Sequence, residues 1–507
     1  MPVQPTYPGV YSEILPSGAR AITGVSTSVT AFIGRCRKGS IDEPVRCFSF
    51  ADFQRQCGGL WSESELGYAV QQFFGNGGGE ALISRVATGA TVATTSIAGS
   101  DGGSSFDLVA ANPGAWGSNL RVTVSHGVVG EVSEASAPNA FHLVLEEVDP
   151  DLLLVDPARA VVQREEYPQV SVDPASSRFV TRVLEGSSLA RVSAVSVARP
   201  VQVAAQSFGP AADGTNGSLG DYQSAIDRLE EADIVNLLCV PPLDRQTDIP
   251  LAVLSSALTF AANHRAVLLV DPPAAWSGYQ AAANLAGGYA SLRSRNAAFY
   301  YPALMASDPL SEGRLRRFAP SGAIAGLIAR TDATRGVWKA PAGMEARLNG
   351  VAGPDVALTD DENGVVNAKG VNALRAMPIA GPVVWGARTG HGADAMASEW
   401  KYLPVVRTAA YIESSLRRGL PWAVFEPNDE RLWSQLRQSV GAFLHGMFRE
   451  GAFAGTRPSE SYFARCDGET TPPQDVARGV VNVVVGFAPL RPAEFVVLSF
   501  TQIAGQS

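Results

Sequence analysis

The sequence predicts a mixed α/β and α+β protein. It has an α/β core with an inserted β-rich domain, a C-terminal α+β domain, and an extended strand-like arm at each end. Three observations predict this. From Ser218 to Leu304, amphipathic helical stretches alternate with short, near-continuous apolar runs, the pattern of parallel strands covered by helices on both faces. Residues 91–199 shift to Gly, Ser, Thr and Val with recurring short strands. Finally, Glu494–Gln502 reads as a β-strand with no obvious partner, while residues 1–20, interrupted by Pro2, Pro5, Pro8 and Pro16, are extended rather than helical.

The expected division is an N-terminal arm over 1–20, a core over 21–90 and 200–370, the insert over 91–199, a C-terminal domain over 371–487 and a second arm over 488–507. After the first arm come a buried strand at Val25–Gly34, helices at Phe50–Cys57 and Ser64–Phe74, and a strand at Ala81–Val86. The Asn76-Gly77-Gly78-Gly79 cluster is a plain turn, because its helix–Gly–strand order reverses that of a phosphate-binding loop. The insert carries strands at Phe106–Ala110, Leu120–Ser125, Phe141–Glu147, Ala160–Arg164 and Ala190–Val197. In the core, helix Tyr222–Glu231 leads to strand Ile234–Val240, Leu251–Asn263 to Ala266–Val270, and Gln280–Ser294 to Ala297–Tyr301. Further on, helix Pro404–Arg418 is followed by a strand at Trp422–Phe425 and a long apolar-faced helix behind Asn428 as N-cap. Strand Val480–Phe487 then runs into Ala488–Ala493, whose two prolines and lack of Gly, Asn or Asp make a stiff linker rather than a tight hairpin.

Bulk composition narrows the function. Hydrophobic content of 46% and charged content of 18% describe a globular chain, and a net charge of −9 argues against a nucleic-acid binder with a broad basic surface. No apolar run is long enough to cross a bilayer, and the N-terminus shows no signal-peptide pattern. Cys36, Cys47, Cys57, Cys239 and Cys466 are scattered without a Cys-x-x-Cys pair, as expected of reduced thiols in a cytoplasm.

No catalytic, cofactor or metal site emerges. The five histidines (126, 142, 264, 391 and 445) form no metal-binding pair, and His445, inside an apolar helix, reads as a packed core residue. The Asp360-Asp361-Glu362-Asn363-Gly364 run lacks the spaced ligands of a calcium loop and reads as a solvated turn. Asp271 is the only acid at a strand tip, where capping a loop outweighs catalysis; an α/β enzyme using the strand ends of 218–304 is the competing reading.

Several stretches together resemble one family, the contractile tail sheath proteins of bacteriophages and related injection particles. They are Tyr7-Pro8-Gly9-Val10-Tyr11, Gly24–Gly34, Phe73–Gly79 with a strand ending Arg85-Val86, and Ala111–Gly117. The longest runs Pro320–Gly326, Ala329–Asp332 and Gly336–Gly343; Val371–Arg375, Val384–Thr389 and Tyr411–Leu416 complete the set in family order. The resemblance implies a structural polymer: subunits stacked helically around an inner tube, contracting to drive that tube through a target envelope without nucleotide hydrolysis. It implies a particle assembled in a bacterial cytoplasm, with baseplate and tail-end cap proteins as further partners, no direct nucleic-acid contact and no membrane insertion. A non-contractile shell or baseplate component of such a particle is the alternative within the same class. Two sites carry over. Val10, Tyr11, Ile14, Leu15 and Phe495, Val496, Val497, Leu498, Phe500 would be strands donated to neighbouring subunits. Arg407, with Arg417 and Arg418 on the same helix, would meet the inner tube.

Overall fold

The computed structural model describes residues 20–126, 140–156 and 159–495. The chain forms two compact units. The larger comprises residues 28–331 and 341–403; the smaller is assembled from 1–27, 332–340 and 404–507.

An eight-stranded sheet organises the larger unit, in the order Gly381–Val384, Val371–Met377, Ala297–Tyr301, Val267–Val270, Leu237–Cys239, Thr30–Gly34, Ala81–Arg85, Val45–Cys47. The six inner strands are mutually parallel and an antiparallel strand closes each edge. Strand Thr30–Gly34 is buried along its whole length, as its unbroken apolar run requires. Ala31 and Ile33 face one core with helices Leu219–Asp227 and Leu251–Asn263. Phe32 points the other way, onto Phe73 of helix Leu66–Gly75 at 5.4 Å between ring centroids. On that second face helix Ser321–Arg335 packs backbone to backbone: a side chain at Gly322 or Gly326 would lie 2.1 Å from the Ala69 carbonyl oxygen or 2.2 Å from that of Phe73.

Val371–Met377 pairs with Ala297–Tyr301 and with Gly381–Val384, so the chain from 371 to 384 runs through this sheet, and the larger unit extends to residue 403. The helix expected over Gln280–Ser294 is cut in two. Tyr279–Ala283 and a 3-10 turn at Tyr289–Leu292 are separated by Gly287 and Gly288, both at positive φ. The Asp360 run is not a solvated turn. Thr359 and Glu362 form a reciprocal capping box, and the acids open helix Asp360–Ala368 at the end favoured by its dipole.

Between Ala81–Arg85 and Leu219–Asp227 the chain is β-rich, from Thr94 to Ser207. Strands Val203–Ser207, Leu120–Ser125, Ala140–Val148 and Val161–Ser171 form one sheet; Thr94–Ala98, Ser104–Ala110 and Ala190–Val195 form another. Phe106, Trp116, Leu143 and Val170 are among the residues of their shared core.

The smaller unit is built on helices Leu403–Gly419 and Glu430–Arg449 and an antiparallel pair of strands, Tyr462–Arg465 and Val484–Phe487. Ile412, Val440, Leu444, Met447 and Phe453 form its centre. The segment entering from the N-terminal side is tied along both helices, Val25 donating its N–H to Ser415 Oγ and Arg20 its N–H to Ser439 Oγ. Three expectations are corrected. Trp422–Phe425 is no strand: Pro421–Ala423 forms a 3-10 turn and Phe425 takes a left-handed conformation. The N-cap of the long helix is Asp429, which accepts from Leu432 N–H, while Asn428 bonds the Trp433 indole instead. His445 is exposed, its Nδ1 2.9 Å from the Tyr462 hydroxyl, because its position falls on the helix's outer side.

Candidate assembly site

Helix Leu403–Gly419 places its three arginines in two environments. Arg407 is not on an exposed face. Its side chain is 4% exposed and makes a two-pronged ion pair with Asp332, Nη1 to Oδ1 at 2.8 Å and Nη2 to Oδ2 at 2.5 Å. Nη2 also donates to the Thr27 carbonyl at 2.8 Å, and the Thr27 hydroxyl donates to Asp332 Oδ2 at 2.7 Å. One guanidinium thus ties together the three chain segments that compose the smaller unit, a role suited to the planar fork of arginine. Its counter-charge is 75 residues away in sequence, so helical spacing alone could not reveal the burial. Arg417 and Arg418, in the last turn, remain exposed. Asp332 and Thr27 escaped the sequence reading as functional positions: both fall inside stretches that carried the resemblance, but each lies among other polar residues, so nothing local singled it out.

The strand pair is the second feature. Tyr462 faces Phe487 and Ala464 faces Val485 across it, and these four side chains pack toward helix Glu430–Arg449. Phe453 fills the space beneath, 5.9 Å from the Tyr462 ring and 5.7 Å from that of Phe487. On the outward side Phe463 lies across Gly486, where any side chain would collide with its ring. Phe463 and Val484 are 47% and 44% exposed. Among the described residues this sheet has two strands only, leaving an unpaired edge on each. Beyond it the chain bridges from Pro489 to Phe453 and continues without regular structure to Phe495, which is 74% exposed. The other expected donated residues, Val10, Tyr11, Ile14, Leu15, Val496, Val497, Leu498 and Phe500, lie outside the described residues.

In the larger unit, the carboxyl ends of the parallel strands are where an open α/β sheet would receive a ligand. At the ends of two neighbouring strands, Thr30–Gly34 and Ala81–Arg85, lies the Arg85 side chain, 2% exposed. Its guanidinium donates to the backbone carbonyls of Cys36, Arg37 and Gly39. Asp271 accepts the Ser321 N–H and hydroxyl, both at 2.7 Å, and so caps helix Ser321–Arg335. Burial raises its carboxyl to about 7 against these two hydrogen bonds. Nearby, Arg245 gathers carboxylates. Asp308, wholly buried, lies 2.5 Å from its Nη2, and Glu65 Oε1 lies 3.5 Å from its Nε. Burial raises Glu65 to about 7 although Arg245 opposes it; Asp308 is held low by the Ser311 hydroxyl and Arg245 against its own burial. The contrast follows from geometry, since the closer, hydrogen-bonded contact goes to Asp308. Among the described residues no cluster of His, Cys, Asp and Glu could hold a metal ion, and no helix is long and apolar enough to cross a membrane.

Comparison with known proteins agrees with this architecture. The family model for the phage tail sheath protein central domain matches residues 217–390, and that for the phage tail sheath C-terminal domain matches 396–503. Together they take in more than half of the chain, which belongs to the phage tail sheath protein family. The tail sheath protein of Vibrio phage KVP40 is 22% identical over 347 residues, 64% of this chain and 50% of that protein. The chain thus spans about half the length of the curated relatives it matches. A sheath tail protein from Listeria innocua superposes with a TM-score of 0.62 at 12% identity, over 93% of this chain and 97% of that one. The sheath complex of an extracellular contractile injection system, PVC, solved in its contracted state, gives 0.58 at 22% identity over 99% and 98%. These likenesses establish the mixed α/β fold with its insert.

Proposed function

We propose that this chain is the repeating subunit of a contractile sheath, a helical polymer around an inner tube that shortens to drive the tube through a target envelope. The observation that carries this reading is the two-stranded sheet of the smaller unit, with two open edges and apolar side chains beside them. A pair of strands is marginal in water, and added strands would complete it. The arm residues 10–15 and 495–500 have the apolar, β-favouring composition of such strands, so each subunit would supply a neighbour's missing edge. Contraction is then a shift between two packings of the same subunits, joined throughout by covalent arms.

The inner-tube contact reduces to Arg417 and Arg418, since the buried Arg407 holds the subunit together. Baseplate and tail-end cap proteins are the further partners this reading requires, in a particle assembled inside a bacterium. Deleting residues 494–507 should leave a folded, monomeric subunit and abolish the long striated sleeves seen by negative-stain electron microscopy. Sleeves of normal length from the truncated chain would refute strand donation.

A further inference from the structure

We propose that Cys36 and Cys57 form a redox modification site, which a hydroperoxide closes into a reversible disulfide. The link would staple the loop after strand Thr30–Gly34 to the end of helix Phe50–Cys57.

No sequence motif joins the cysteines, yet the fold gathers Cys36, Cys47 and Cys57 near the sheet's edge strand Val45–Cys47. The Cys57 thiol hydrogen-bonds with Cys36 and with Cys47, so it is the shared member. Backbone contacts hold the first pair together independently of the sulfurs. Lys38 donates its N–H to the Cys57 carbonyl at 3.3 Å, and the Arg85 guanidinium fixes residues 36–39 through their carbonyls. All three side chains are buried, but the lid over Cys57 is thin. Gly39 lies against its sulfur, where a Cβ would sit 3.5 Å away, and the irregular loop that follows exposes Ile41, Asp42 and Glu43. Local opening of such a loop admits a small peroxide.

The two thiols are not equivalent. The hydrogen bond with Cys57 holds the Cys36 thiol below its ordinary value, with burial opposing and the Arg85 charge assisting. Cys57 is pushed up by its hydrogen bonds with Cys36 and Cys47 and by burial. Cys36 is therefore the attacking sulfur and Cys57 the resolving one. The Cys36 thiolate attacks a peroxide oxygen: an S–O bond forms, the O–O bond breaks, and the leaving oxygen takes up the proton that Cys36 shed. The Cys57 sulfur then attacks the Cys36 sulfenic acid. An S–S bond forms, the S–O bond breaks, and the hydroxyl leaves as water with the Cys57 proton. The thiol pair is oxidised by two electrons and the peroxide is reduced by two. Closing the chain over residues 37–56 restricts the unfolded state, and a dithiol reducing agent reverses the link.

The test treats the full-length subunit with hydrogen peroxide under native conditions, alkylates the remaining thiols and maps the products by mass spectrometry. Trypsin cuts after Arg35, Arg37, Arg46 and Arg55, so the three cysteines fall in separate peptides. The main product should be the Cys36–Cys57 link, with Cys47 and Cys466 alkylated. Cys239, equally buried but with its thiol pushed up by burial, should also stay reduced and is the internal control. The oxidised subunit should melt several degrees higher and return to the parent temperature with dithiothreitol. Cys57→Ser should leave Cys36 as a sulfenic acid that dimedone traps, and Cys47→Ser should form the link as the parent does. Persistence of all five thiols, a main link between any other pair, or a link without a rise in melting temperature would overturn the proposal. Dimedone labelling of Cys57 in Cys36→Ser as fast as that of Cys36 in Cys57→Ser would overturn the assigned roles. Should Cys57→Ser fail to fold, the products of the parent and of Cys47→Ser decide the question.

Discussion

With Arg407 shortened to alanine, the Asp332 carboxylate stays 5% exposed and loses the guanidinium that neutralises it. Removing one partner of a buried pair costs about 3–5 kcal/mol, against at most about 0.5 kcal/mol for an exposed arginine such as Arg417. Arg407→Ala should therefore unfold the smaller unit at markedly lower denaturant concentration, whereas Arg417→Ala should not; equal midpoints would contradict the buried pair. Glu65 makes a second prediction, with a definite sign. Burial lifts its folded carboxyl to about 7, whereas the unfolded one titrates near the ordinary glutamate value of 4.5. The folded state therefore holds the proton more tightly, and this contribution to stability is complete below about 4.5 and lost as pH rises through 7. Asp271, raised to about 7 by burial, adds in the same direction. The larger unit should melt higher at pH 5.5 than at pH 8, and Glu65→Gln should flatten the difference by stabilising the protein at pH 8. An unchanged pH profile for that variant would exclude Glu65 as a source. Neither environment was legible in the sequence, since Asp332, the partner of Arg407, lies 75 residues away and the burial that raises Glu65 is set by tertiary packing.

Elements whose period and punctuation agree were legible from local pattern. Leu251–Asn263 has its expected bounds, Pro250 preceding it and the apolar stripe running unbroken to His264. Strand Ala297–Tyr301 likewise appears with its expected bounds, as a fully buried run between loops. Four apolar residues at Trp422–Phe425 misled because β-propensity describes a half-buried pleated surface, and this turn has no neighbouring strand to supply one. The close approach of helices Leu66–Gly75 and Ser321–Arg335 shows how a motif can be visible before its cause. Gly322 and Gly326, four residues apart, lie on one face, and each backbone sits against a carbonyl oxygen of the facing helix. Gly326→Ala gains about 1 kcal/mol in helix propensity but forces a methyl group 2.2 Å from a backbone oxygen that has little freedom to move. Overpacking of this kind costs about 1–3 kcal/mol, so the clash should win and the larger unit should melt several degrees lower. A neutral or stabilising result would mean that the helices can separate without loss.

At the scale of the molecule, the division into two units was not legible from local pattern, because the final strands of the sheet follow helix Asp360–Ala368 and residues 332–340 belong to the smaller unit. Each unit has a core of its own, so heating the isolated subunit should give two calorimetric transitions rather than one. A single transition with equal calorimetric and van't Hoff enthalpies would contradict this. The smaller unit, with its sheet of only two strands, should melt first. That sheet has a consequence for how such a subunit waits in solution. If neighbouring chains finish it, part of the folding free energy of each subunit is supplied by others, and its stability becomes a function of concentration. A dilute subunit then carries its least stable edges exposed, and one in a finished ring has them covered. Growth at an existing end would be favoured over spontaneous nucleation, and the growing end would act as the template on which the next subunit completes its fold.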